Sequence, residues 1–139
     1  MDRFLSFVSG GGSCDAADPE VVAQASACLD RFTDAFNAQD LSGMDAQLHF
    51  PHTMVSGAES LVWPQPGSHP ADFFEQLRST GWACTRYESR LPVLAGADKV
   101  HFVVTYARRS QQGEEPSRHR NLWIVVRRAG AWGIVLRSY

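Results

Sequence analysis

Beyond residue 83 the chain changes period. Apolar and polar residues stop recurring at helical spacing and run in four extended blocks, 83–94, 99–110, 119–128 and 132–139. Only turn-like links separate them: Ala95-Gly96-Ala97-Asp98, then residues 111–117, then Ala129-Gly130. The last is a two-residue hairpin link, the strongest local hairpin signal in the sequence. Strands of about ten residues twist and curl instead of lying flat.

The first half is helical. Asp18-Pro19-Glu20 supplies an N-cap, a proline at the first helical position and an acid in the first turn. Val21, Val22, Ala25, Leu29, Phe32 and Phe36 follow as one apolar stripe, ending near residues 37–39. Asp40 caps a short second helix from Leu41 to about Leu48. A strand pair, 53–55 with 60–63, turns at Ser56-Gly57. Ser68 or His69 caps a third helix that starts at Pro70, carries Phe73, Phe74 and Leu77 inward and stops at Gly81. Helices followed by hairpin-linked strands predict an α+β fold: three N-terminal helices packed on a strongly curved antiparallel sheet, a cone-like barrel enclosing a space. Residues 1–17 read as a flexible Gly/Ser-rich leader, and 18–139 as one domain. A chain of 139 residues fits one domain.

Charge is unevenly spread. Residues 1–60 hold nine acids against two arginines, whereas residues 99–139 hold eight basic residues against two glutamates. Either an acidic helical layer faces a basic sheet layer, or the sheet's arginines meet an anionic ligand or partner. The net charge of −2 gives no general basic excess, and the arginines lack the lysine stripe and interleaved aromatics of a nucleic-acid surface. No stretch is long enough for a membrane span. Three cysteines without CxxC spacing point to reduced thiols and a cytoplasmic protein, with Cys28 a small core residue. Gly10-Gly11-Gly12 lacks the Lys-Ser/Thr of a phosphate-binding loop, and no cofactor motif is present.

The order of elements, the His49-Phe50-Pro51-His52-Thr53 segment, Asp98-Lys99-Val100-His101-Phe102, Tyr106-Ala107-Arg108 and the closing stretch from Trp132 to Ser138 resemble the nuclear-transport-factor-2-like superfamily. Within it the chain is most similar to small bacterial proteins related to SnoaL-type polyketide cyclases and ketosteroid isomerases. The resemblance covers about residues 18–139 and implies a cystatin-like α+β fold that hosts isomerases, dehydratases, cyclases and silent binding domains. In the isomerases a carboxylate near the first strand turn acts as base. Here that turn reads Ser56-Gly57-Ala58, with Glu59 the nearest acid, so the resemblance does not carry that activity over.

His52 is the leading catalytic candidate, because an imidazole moves protons near neutral pH. Period-2 alternation places Phe50, His52 and Met54 on one side. The alternative is a histidine that simply satisfies a backbone carbonyl. His49 reads as an exposed junction residue. The His49-x-x-His52 spacing lacks a third ligand, so no metal site is assigned. Tyr106 is placed to hold a substrate oxygen, Arg108 or Arg137 to clamp a carboxylate, and Trp123 to wall a pocket alongside Phe50. For each of these, packing or rim salt bridges are the competing role.

Two functions follow. One is a cofactor-independent isomerase, dehydratase or cyclase acting on a small hydrophobic carbonyl compound, with His52 and Tyr106 catalytic. The other is a non-catalytic ligand-binding or dimerisation module. Either takes a small hydrophobic or anionic molecule, requires no cofactor, and pairs as a homodimer through the sheet.

Overall fold

The structure, a computed structural model, describes residues 3–9 and 18–139. Its helices are α1 (Arg3–Ser9), α2 (Pro19–Asn37), α3 (Leu41–Asp45) and α4 (Phe73–Ser79). The strands are β1 (Leu48–Ser56), β2 (Glu59–Trp63), β3 (Cys84–Ala95), β4 (Lys99–Arg109), β5 (Ser117–Arg128) and β6 (Ala131–Ser138). The three expected helices are α2 to α4. The short α1, with no buried residue, falls inside the stretch read as a leader. The rest of that leader, with Cys14 and the glycine run, lies outside the described residues.

Asp18 accepts a hydrogen bond from the Glu20 amide at 2.9 Å, and Asp40 one from the Gly43 amide at 3.0 Å, so both expected caps start their helices. α2 buries Ala25, Cys28, Leu29 and Phe32. These meet Val100, Phe102, Val104, Trp123, Val125 and Ile134 from the concave face of the sheet. The tight hairpin at Ala129-Gly130 has positive φ at both residues, 50° and 78°, the backbone twist that a two-residue link demands.

The sheet is curved, unclosed and ordered β2-β1-β6-β5-β4-β3. Every neighbouring pair is antiparallel except one: β1 lies parallel to β6. The expected curved antiparallel sheet is thus present, with one parallel pair joined to it. Local alternation reveals which side chains share a face, but not which distant strand runs alongside. β1 also begins earlier than expected, because Pro51 sits within it; the peptide bond before Pro51 is cis, and the register with β6 shifts between Leu48 and Thr53.

His49 is not an exposed junction residue. Its Nε2–H lies 2.9 Å from the Val126 carbonyl and 3.1 Å from that of Ala131, tying β1 to the β5–β6 hairpin. The ring rests on Gly133, where a Cβ would come within 2.8 Å of it. At the other end of the sheet Asn37 brackets Thr85, donating to its carbonyl at 2.9 Å and accepting from its amide at 2.8 Å.

Candidate functional site

Between the helices and the concave face lies a cavity of about 310 Å³. Phe32 and Phe36 of α2, Met44 of α3, Phe73 of α4, Trp63 of β2 and Trp123 of β5 give it an apolar wall. The polar groups are few: His69, Thr33, Thr85, Tyr87, Tyr106, Arg108, Arg137 and Tyr139. A mostly apolar cavity with a few convergent polar side chains is the form of a small-molecule site.

Strand pairing explains how an arginine enters it. Pro92, Phe102, Trp123, Arg137, Met54 and Leu61 are successive cross-strand partners, one row spanning all six strands. Arg137 is the only charge in that row and is 6% exposed. Its Nε donates to His52 Nε2 at 3.0 Å, and Nη2 lies 3.4 Å from Met54 Sδ. Four rings surround the guanidinium: Phe32 at 5.3 Å, Tyr139 at 5.9 Å, and Trp63 and Trp123 each at 6.0 Å. Such a cage favours a cation where water does not reach.

His52 is fully buried, and both of its ring nitrogens are engaged. Nδ1–H donates to the Ile134 carbonyl at 2.9 Å, which leaves Nε2 as the acceptor for Arg137. Burial, reinforced by the Arg137 charge, lowers its pKa to about 4. The ring is therefore neutral at pH 7, and its lone pair belongs to Arg137. It stands behind the cavity wall and not on it.

A second histidine does face the cavity. His69 precedes α4, its side chain 3% exposed, with Nδ1 3.2 Å from Asp45 Oδ1. That is an ion-pair distance without hydrogen-bond alignment. The other Asp45 oxygen accepts from the Gly67 amide at 2.9 Å, which anchors the loop before α4 to the end of α3. Trp63 meets the His69 ring edge-on at 4.4 Å. Burial lowers the His69 pKa; Asp45 opposes the shift and Arg137 adds to it. The nearby carboxylate favours the tautomer that carries its proton on Nδ1, which leaves the lone pair on Nε2, a nitrogen with no hydrogen-bond partner among the described residues.

Tyr106 accepts a hydrogen bond from Asn121 Nδ2 at 2.9 Å, so its own proton is available to donate. Burial raises its pKa and keeps it a phenol. Its ring stacks on His119 at 5.1 Å. Tyr87 is likewise held protonated by burial. Arg108 Nε and Trp123 Nε1 are buried without a hydrogen-bond partner.

The structure thus gathers Tyr106, Arg108, Trp123 and Arg137 around one cavity. It leaves His52 behind Arg137, and Phe50 beside the core with its ring 6.5 Å from that of His52. Sequence reasoning missed His69, Asp45 and Tyr87. His69 read as a helix cap, and only the fold brings Asp45 to it. Among the described residues, no group of three or more His, Cys, Asp or Glu is placed to hold a metal, and no helix is long and apolar enough to cross a membrane.

No family model and no curated protein matches this sequence. Solved structures do resemble it. A cystatin-like-fold protein of unknown function from Nostoc punctiforme superposes with a TM-score of 0.68 at 10% identity, over 87% of this chain and 90% of that one. A nuclear-transport-factor-2-like protein of unknown function from Pseudomonas putida gives 0.64 at 13% identity, over 88% and 87%. A candidate ketosteroid isomerase from Shewanella frigidimarina gives 0.60 at 11%, over 83% and 93%. The chain is an α+β protein with a cavity of about 310 Å³ under a curved sheet. Its fold is the nuclear-transport-factor-2-like, or cystatin-like, fold.

Proposed function

We propose that the protein is a cofactor-independent acid–base enzyme that isomerises, dehydrates or cyclises a small hydrophobic carbonyl compound, with His69 moving the proton. The observation that carries this reading is the His69–Asp45 pair on an apolar cavity that also presents Tyr106 and Arg137. A base oriented by a carboxylate holds its tautomer and is steadied when it becomes an imidazolium. His69 Nε2 takes a proton from the carbon next to the carbonyl, and the electron pair moves to the oxygen. The Tyr106 hydroxyl and the Arg137 cation meet the enolate. Return of the proton to another carbon completes an isomerisation; loss of a β-hydroxyl as water completes a dehydration; attack on a second carbonyl closes a ring. His52 is a positioning residue for Arg137 in this scheme.

The test uses 5-nitrobenzisoxazole, whose ring opens to a coloured phenolate when a base removes its carbon-bound proton. The intact chain is expected to accelerate the opening, with a rate that rises with pH through an ionisation below 6.5 and then levels. His69→Gln should abolish the acceleration and Asp45→Asn should reduce it. A rate indifferent to His69→Gln removes the base from the proposal, and a non-catalytic binding module becomes the better account.

We further infer that two copies pair through the convex face of the sheet. Leu91, Val103 and Leu122 form one cross-strand row there, and Leu94, His101, Ile124 and Leu136 another. Leu91 is 56% exposed, and the buried His101 Nε2 lacks a partner within the described chain. Among the described residues Cys28 and Cys84 are free thiols, which suit a reducing cytoplasm. Burial pushes the Cys28 thiol up to about 11, so it is inert packing.

A further inference from the structure

We propose that the molecule bound in this cavity is an anion, an apolar frame bearing a carboxylate that seats between Arg137 and Arg108. This rests on reading the cavity as the substrate site and adds the substrate's charge.

Among the described residues the cavity has cations and no counter-ion: both arginines line it, and no Asp or Glu does. Asp45, behind His69, is committed to that ring and to the Gly67 amide. Four arginines outside the cavity pair with carboxylates: Arg90 with Asp30 at 2.6 Å, Arg127 with Asp98 at 2.8 Å, Arg109 with Glu115 at 3.8 Å, and Arg118 with Glu88. Arg108 and Arg137 have no carboxylate partner among the described residues.

A buried cation without a counter-ion is costly. The aromatic cage and His52 offset part of that cost for Arg137 by occupying Nε, Nη2 and the faces of the guanidinium, while Nη1 has no hydrogen-bond partner among the described residues. Arg108 is half-buried, and among the described residues it has no hydrogen-bond partner, with its Nε buried. The polar side chains on the wall are donor-rich: two guanidinium groups, the Tyr106 hydroxyl with its proton free, and the Trp123 indole. A wall of donors selects a ligand of acceptors, and two guanidiniums select one that is charged. The positive half of the uneven charge pattern thus has a local purpose at two of its arginines.

The experiment titrates the full chain calorimetrically with 2-naphthoate and with 2-naphthamide, which match in frame and differ in charge. Naphthoate should bind about 10- to 100-fold more tightly, the range of one or two charge-assisted hydrogen bonds. Arg108→Met and Arg137→Met should each weaken naphthoate and leave naphthamide unchanged. Equal affinities for the two probes in the unaltered protein overturn the proposal, and so does failure of both to bind at millimolar concentration. That comparison needs no variant, so a misfolded Arg137→Met does not blunt it. A preference that survives both substitutions overturns it as well. His69→Gln should keep the preference intact, which separates the ligand's charge from the chemistry at His69.

Discussion

Acidification should expose the role of His52 through stability. The ring is fully buried and neutral, its folded pKa about 4 against an ordinary 6.5. A lowered histidine pKa means that the unfolded chain takes up the proton first, so stability is lost as pH falls through 6.5 and levels off below the folded value. Integrating between those two values gives a loss of ~1 kcal/mol by pH 5.5 and ~2 kcal/mol by pH 4.5, relative to pH 7. Other groups titrate in the same range, including the buried-shifted His69, His101 and His119. The comparison is therefore with His52→Gln, which retains them but cannot ionise. Urea unfolding of both proteins at pH 7.0, 5.5 and 4.5 measures the gap. The native chain should be the more stable at pH 7, and its advantage should shrink by ~2 kcal/mol at pH 4.5. A gap that is constant with pH, or that widens on acidification, refutes the assignment of His52 as a buried neutral acceptor for Arg137.

Three further outcomes are expected. Gly133→Ala sets a methyl against the His49 ring and should lower stability by about 1–3 kcal/mol in urea unfolding; no change would mean that the ring is free to move aside. Asn37→Ala removes both hydrogen bonds to Thr85 and should cost about 1–3 kcal/mol, with faster amide exchange concentrated along the β3 edge. Ile124→Glu places a charge in the convex apolar row and should convert a dimer to a monomer in sedimentation velocity. A monomeric parent, or a variant that stays dimeric, rules out that interface.

The second half of the fold was readable because alternation in a strand is a local property. Tyr106 and Arg108 share a face by spacing alone, as do Asn121 and Trp123, and the register turns that face inward. The caps at Asp18 and Asp40 were readable for the same reason, since each acts within three residues. What sequence could not supply is proximity across the chain. His69 sits in a Pro- and Gly-rich loop, where its neighbours in sequence suggest only a helix start. Its chemistry comes from Asp45, 24 residues earlier, and from a cavity that the loop helps to close. His52 was legible as a histidine among apolar residues, but not as a ring with both nitrogens already engaged, because its partners Ile134 and Arg137 lie more than 80 residues away.

The parallel pairing of β1 with β6 has a temporal consequence. Residues 48–56 have no neighbour on that side until residues 134–138 arrive, and every hydrogen bond that orients Arg137 crosses the seam between them. Loop-closure entropy opposes contacts of such long range, so the seam should be among the late events of folding. Helices and the β3–β6 meander can assemble from near neighbours, but the setting of Arg137 on His52 and Met54 cannot. Ligand capture should then report on closure of this seam: a product truncated before Arg137 would keep most of its secondary structure and lose the caged cation of the site.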